Sequence, residues 1–179
     1  NTDIAFWGKF AYQGNWDGFS IRDIRNKNNP TTVSRTFCDG NQGDIVVWNH
    51  LLVRSWNTAA GTPGPFGAGL TCDGQPVPAG WEGVHIFDIS DKDDPELVGS
   101  VQLQCGSHTA TLVPDKANDR AVVYSNAAGG CNFIDIIEVP LDDPGSASLI
   151  GSEPLDHPCH DMGVILGDVM KAACADREY

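Results

Sequence analysis

The sequence predicts an all-β protein: a β-propeller built of four-stranded antiparallel blades, about three and a half of them in this chain. Three observations carry that expectation. Short segments of alternating apolar residues recur in register along the chain, which is the period of a half-buried strand. No segment sustains a long 3.6-residue apolar period, so helices should be few. Turn residues, 20 Gly and 11 Pro in 179 residues, separate the segments at regular intervals.

The repeat is clearest in two copies. Gly18-Phe19-Ser20-Ile21-Arg22-Asp23-Ile24 runs on to Asn29-Pro30, and Gly83-Val84-His85-Ile86-Phe87-Asp88-Ile89 runs on to Asp94-Pro95. A looser third copy begins at Asn132-Phe133-Ile134-Asp135 and reaches Pro144. The runs that follow, at 32–37, 96–103 and 147–152, read as outer partner strands. Each copy is preceded by a strand, a short turn and a second strand. These pairs open at Asp3-Ile4-Ala5, Asp44-Ile45-Val46, His108-Thr109-Ala110 and His160-Asp161-Met162. In the last pair the second strand is expected at Val169-Met170-Lys171-Ala172. The unit is therefore four strands, present three times and then cut off after its second strand, as propeller blades would be. One partial propeller over 1–179 is expected. Blade 1 spans about 2–38, blade 2 about 43–104 with an inserted loop at 56–82, blade 3 about 108–155, and half a blade about 160–174. A β-sandwich accounts for the strands and leaves the repeat unexplained.

Gly83 to Val101 (GVHIFDISDKDDPELVGSV), its echo from Gly18 to Thr36 (GFSIRDIRNKNNPTTVSRT) and the strand pair from Gly43 to Ser55 resemble the LVIVD-repeat family of bacterial β-propellers. The resemblance covers nearly the whole chain outside the insertion, and it has drifted in blade 3, at Ile137-Glu138-Val139-Pro140. It implies a propeller and an extracellular or envelope address, and hardly any activity. Three and a half blades leave edges and an apolar face bare. The expected partners are therefore the remaining blades, from the same precursor or another chain.

Charge narrows the functions. With 24 acidic and 11 basic residues the net charge is −13. Such a surface repels phosphates, so nucleic acid and anionic membranes are poor partners. No apolar run reaches the 18 residues a spanning helix requires, so no membrane insertion is expected. No charged-then-apolar leader opens the sequence, so an exported protein is expected here in processed form. Six cysteines without a CxxC pair argue for disulfides in an oxidising compartment, secreted or in the cell envelope. Cys38, Cys105 and Cys159 lie just before the first strands of successive units, and Cys72, Cys131 and Cys174 just after the second strands. In an antiparallel blade those two points share one end. The expected bridges are therefore Cys38–Cys72, Cys105–Cys131 and Cys159–Cys174.

First strands line the axial channel of a propeller, and their starts gather at one mouth. That brings His108, His160, Asp44 and Asp161 together, with Asp3 in the same phase. Imidazole with carboxylate suits zinc or a transition metal, and carboxylates with backbone oxygens suit calcium. A divalent metal is thus the one cofactor these residues would fit, although polar residues at strand starts also cap backbone groups. Gly43 and Thr2 stand where the other two units have histidine, so no full histidine ring is present. Trp16, Trp56 and Trp81 are expected near the end that carries the insertion, where aromatic surface would grip a carbohydrate or a protein. Core packing explains each of them as well. No G-x-S-x-G elbow is present, and paired cysteines do not serve as nucleophiles. Two functions follow: a non-catalytic extracellular binding or scaffold module presenting loops on one propeller face, or a metal-dependent hydrolase or oxidoreductase using the His/Asp mouth.

Overall fold

A computed structural model describes residues 2–64, 67–167 and 171–175. Pro65 of the insertion, and Val169 and Met170 of the last expected strand, lie outside the described residues. Three four-stranded antiparallel sheets follow one another as blades of a partial propeller. Blade 1 is β1 (Asp3–Trp7), β2 (Phe10–Asn15), β3 (Gly18–Asp23) and β4 (Thr31–Phe37), paired in that order. Blade 2 pairs β5 (Ile45–Trp48), β6 (Leu51–Trp56), β9 (Gly83–Asp88) and β10 (Glu96–Gln102). Between β6 and β9 the insertion forms its own hairpin, β7 (Thr71–Cys72) and β8 (Gln75–Pro76). Blade 3 is β11 (Thr109–Asp115), β12 (Arg120–Asn126), β13 (Phe133–Pro140) and β14 (Ser148–Pro154). A two-stranded piece, β15 (Asp161–Ile165) and β16 (Lys171–Ala175), ends the described chain. Among the described residues there is no α-helix, only two single 3-10 turns at Lys116–Asn118 and Pro144–Ser146.

The innermost strands stand side by side: β1 against β5, β5 against β11, and β11 against β15. Period-two alternation then gives each blade two apolar faces. Tyr12, Phe19 and Ile21 of blade 1 meet Ile45, Leu52 and Phe87 of blade 2, where the Phe19 and Phe87 rings pack edge to face at 5.0 Å. The other face of blade 2, with Leu51, Val53, Val84 and Ile86, meets Ala121, Val123, Ile137 and Val139 of blade 3. Ile134 of blade 3 packs with Met162 of β15 and Cys159.

The repeat supplies its own control for these interfaces. The position after the polar residue that opens each repeat (Asp44, Thr109, Asp161) is 1% exposed at Ile45 and 6% at Ala110 and Met162, each of which has a blade before it. At Ile4, with no blade before it, the same position is 48% exposed, and Phe6 two residues on is 61% exposed. A β-bulge also recurs in every outer strand, at Val33, Val98 and Ile150. Val33 and Val98 pack into the cores on either side of blade 2, whereas Ile150 is exposed beside the half blade. The bulge turns this residue toward the next blade.

The repeat glycines have a steric cause. Gly18 and Gly83 open the third strands at φ of +139° and +152°. A Cβ there would overlap the carbonyl oxygen of Thr36 or Val101 on the outer strand. Gly83→Ala should therefore lower stability by roughly 1–3 kcal/mol in urea unfolding. Gly163→Ala, with open space around it, should stay within about 0.5 kcal/mol of the parent. Equal effects at both positions would refute the steric account.

Candidate functional site

The antiparallel meander puts the starts of all inner strands, the β2–β3 and β12–β13 turns, the insertion and the links between blades at one end. The opposite end carries short hairpins and the two 3-10 turns. Three disulfides lie at the loop-rich end: Cys38–Cys72, Cys105–Cys131 and Cys159–Cys174. This is the pairing expected from the phase of the repeat. Cys38 and Cys72 also form an antiparallel bridge, flanked by Asp39 N–H donating to Thr71 O at 2.9 Å and Asp73 N–H donating to Phe37 O at 2.7 Å. The hairpin β7–β8 is thereby sewn onto the end of β4 in blade 1. Asp73 in turn accepts from Leu97 N–H of blade 2 at 3.2 Å. The insertion thus ties blade 1 to blade 2.

The histidines and carboxylates expected at the axial mouth divide into two groups. The His108 and His160 rings lie 4.8 Å apart, centroid to centroid. His108 Nδ1–H donates to Asn57 Oδ1 at 3.0 Å. Asp3, Asp44 and Asp161 instead line a cavity of about 380 Å³ along the inner strands, with Ile45, Ala110 and Met162. Two of these carboxylates act as acceptors for the next blade: Asp3 takes Ile45 N–H at 3.3 Å, and Asp44 takes Ala110 N–H at 2.7 Å. Asp161 accepts from its own neighbour, Met162 N–H, at 2.7 Å. Burial first, then the charges of Asp3 and Asp161, push the Asp44 carboxyl up to about 7. Among the described residues, the one group of three His, Cys, Asp or Glu side chains whose ligand atoms lie within 4.8 Å of one another is elsewhere: Cys38, Cys72 and His85.

The three tryptophans part company. Trp16 is 44% exposed. The expectation that Trp56 and Trp81 join it in an aromatic surface is corrected, because they are 0% and 8% exposed. Trp56 continues the face of Leu52 and Arg54 toward blade 1, donates its indole N–H to Thr58 O at 2.7 Å and packs edge to face on Trp81 at 5.5 Å. The insertion folds over this pair and turns it into core. His85, on the third strand of blade 2, is buried against both rings, and burial pulls it down to about 3. Beside it Arg54 is wholly buried, donating to the carbonyls of Asp39, Ser55 and Asn15.

Sequence reasoning missed a cleft of about 460 Å³ between the insertion and the blade 3 loop, lined by Asn57, Thr58, Thr62, Glu82, Cys105 and Cys131. Burial raises the Glu82 carboxyl. Asn57 directly follows a second strand, so the phase that placed the cysteines also locates it. Glu82 carries no comparable signal.

A family model described as "LVIVD repeat" matches residues 1–36 and 77–102. Those two stretches are similar to LVIVD repeats. The matched stretches are blade 1 to within a residue of the end of β4, and blade 2 from late in the insertion through β10. No curated protein matches the chain. The matched repeats and the sheet order agree on a propeller, and the remaining matter is what its loop-rich end does.

Asp44 and His85 give opposite pH dependences. Asp44 is raised from 3.8, so its contribution is fully present below about pH 4 and is lost as pH rises through 7. His85 is depressed from 6.5, so its contribution is present above that pH and is lost as pH falls toward 3. Between about pH 4 and 6.5 the two oppose each other. In urea unfolding at pH 4.5, 5.5 and 6.5, Asp44→Asn should make stability rise with pH more steeply than in the parent. His85→Gln should make it fall, each slope changing by up to about 1.4 kcal/mol per pH unit. Parallel profiles for the two variants would show that neither group is held as described.

Proposed function

We propose that this protein is a non-catalytic extracellular binding or scaffold module that presents the loops of one propeller end to a ligand. The carrying observation is that the insertion, all three disulfides and the cleft beside Asn57 and Glu82 share that end. Loops held by cross-links and backbone pairing lose little entropy when a partner is bound. The Cys105–Cys131 bridge forms one wall of the cleft and the clamped insertion the other, which fixes its width. Asn57, Thr58, Thr62 and Glu82 set polar groups among apolar ones along its lining, which suits a carbohydrate or the backbone of a partner protein. The disulfides fit an oxidising environment, and no helix among the described residues is long and apolar enough to cross a membrane. The bare faces at Ile4 and Phe6, and at Ile165, call for further blades as partners, from the same precursor or another chain.

A second reading rests on the His108–His160 pair. Two imidazoles in contact offer two nitrogen ligands, which a metal-dependent hydrolase or oxidoreductase would complete with groups from further blades.

Amide chemical-shift mapping of the protein, titrated with neutral oligosaccharides, with peptides and separately with Zn²⁺, Cu²⁺ and Ca²⁺, tests both. Shifts confined to Asn57–Thr62, Glu82 and Ala128–Cys131 on adding an oligosaccharide or peptide, weakened at least tenfold by Glu82→Ala, support the binding module. Shifts at His108 and His160 with a metal alone, and none in the cleft with any probe, would replace it by the second reading.

A further inference from the structure

The Cys38–Cys72 bridge has an unusual neighbour. His85 is 3% exposed, and its Nδ1 is buried with no hydrogen-bond partner. A buried nitrogen left without a partner has lost its hydration with nothing in return. The His85 imidazole stands beside the bridge: one ligand atom from each of Cys38, Cys72 and His85 lies within 4.8 Å of the other two. Both cysteines are wholly buried. While the sulfurs are bonded to each other they offer no thiolate, and only thiolates bind metal strongly.

We propose that the Cys38–Cys72 bridge, once reduced, forms with His85 a Cys2His site for a thiophilic divalent metal such as zinc. The opening step is thiol–disulfide exchange. A small dithiol passes two electrons and two protons to the bridge, leaving two protein thiols and its own disulfide. Metal capture then releases the two thiol protons to water. Zinc bonds of about 2.3 Å to sulfur and 2.0–2.1 Å to nitrogen set ligand atoms roughly 3.5–3.9 Å apart. After reduction the two sulfurs part from their bonded separation to that spacing, while the His85 nitrogen, within 4.8 Å of both, closes only slightly, with water as the fourth ligand. Two features suit the site. The backbone bonds on either side of the bridge, from Asp39 to Thr71 and from Asp73 to Phe37, hold the two cysteines opposite one another without the S–S bond. His85 is fixed against Trp56 and Trp81, with ring centroids at 5.2 and 4.3 Å. The assignment is independent of the cleft and of the His108–His160 pair.

The test uses the full chain, oxidised and after treatment with a dithiol that is then removed without air, titrated with Co²⁺. Reduced protein should develop a near-ultraviolet thiolate-to-cobalt band that saturates at one equivalent, is displaced by Zn²⁺ and is accompanied by quenched tryptophan emission. Oxidised protein should show neither signal. Cys72→Ser should abolish the band, and His85→Gln should weaken Co²⁺ binding at least about tenfold. Cys159→Ser/Cys174→Ser should leave the band in place. Absence of the band in reduced protein would overturn the proposal, including the case where circular dichroism shows the sheets lost. So would a band that His85→Gln leaves unchanged.

Discussion

A blade is apolar on both faces, and only another blade can cover each one; the rest of the molecule answers to that constraint. An antiparallel sheet with one solvated face would alternate apolar and polar residues. Here Leu51, Leu52 and Val53 run together in β6 and are all buried, because alternate side chains enter different cores. The recurring bulge serves the same end, since an unbulged outer strand would point Val33 and Val98 the other way. Where no blade, or only half of one, stands alongside, the same sequence pattern leaves Ile4, Phe6 and Ile150 in water.

The inner strands carry a second requirement. Each has one edge with no partner strand, so its backbone groups face the channel. The preceding blade answers them with side chains, always in the same direction around the arc. Thr2 donates to Gly43 O at 2.7 Å, Asp3 accepts from Ile45, and Asp44 accepts from Ala110. Thr109 and Thr111 donate to the carbonyls of His160 and Met162 at 2.7 and 2.6 Å. The polar residues that recur at strand starts thus hold one blade to the next. Asp3 and Asp44 thereby each commit an oxygen to a backbone amide of the next blade.

The fold was legible because its signals are local and repeated. Alternation marks strands, the third-strand glycines mark a fixed steric clash, and phase within the unit placed six cysteines far apart in sequence. The surface role expected of Trp56 and Trp81 rested on their nearness to the inserted loop, and core packing, the other explanation open to them, is what the structure has. Trp56 shares the parity of Leu52 and Arg54, so its inward direction was available from the sequence. Trp81 was not, since its burial depends on how the insertion folds back, and that path follows from Cys72 and Asp73 reaching β4. The burial of Arg54 was equally hidden. Its partners are carbonyls at Asn15, Asp39 and Ser55, and backbone oxygens leave no mark in a sequence.

The cross-links fall where backbone pairing is weakest. Hairpins at the short-loop end close over a few residues and need no help. At the other end the chain must travel from an outer strand back to the next inner strand, and in blade 2 it also carries the insertion. The bridges close loops of 34, 26 and 15 residues there. In the chain-entropy account even a 15-residue loop gives about 3 kcal/mol, and the longer ones somewhat more. That stabilisation acts on the unfolded chain, yet its geometric consequence is native: the loops with the most freedom are the ones tied down. Side chains such as Asn57 and Glu82 are then set on tethered loops, the preorganisation that the proposed binding role would require.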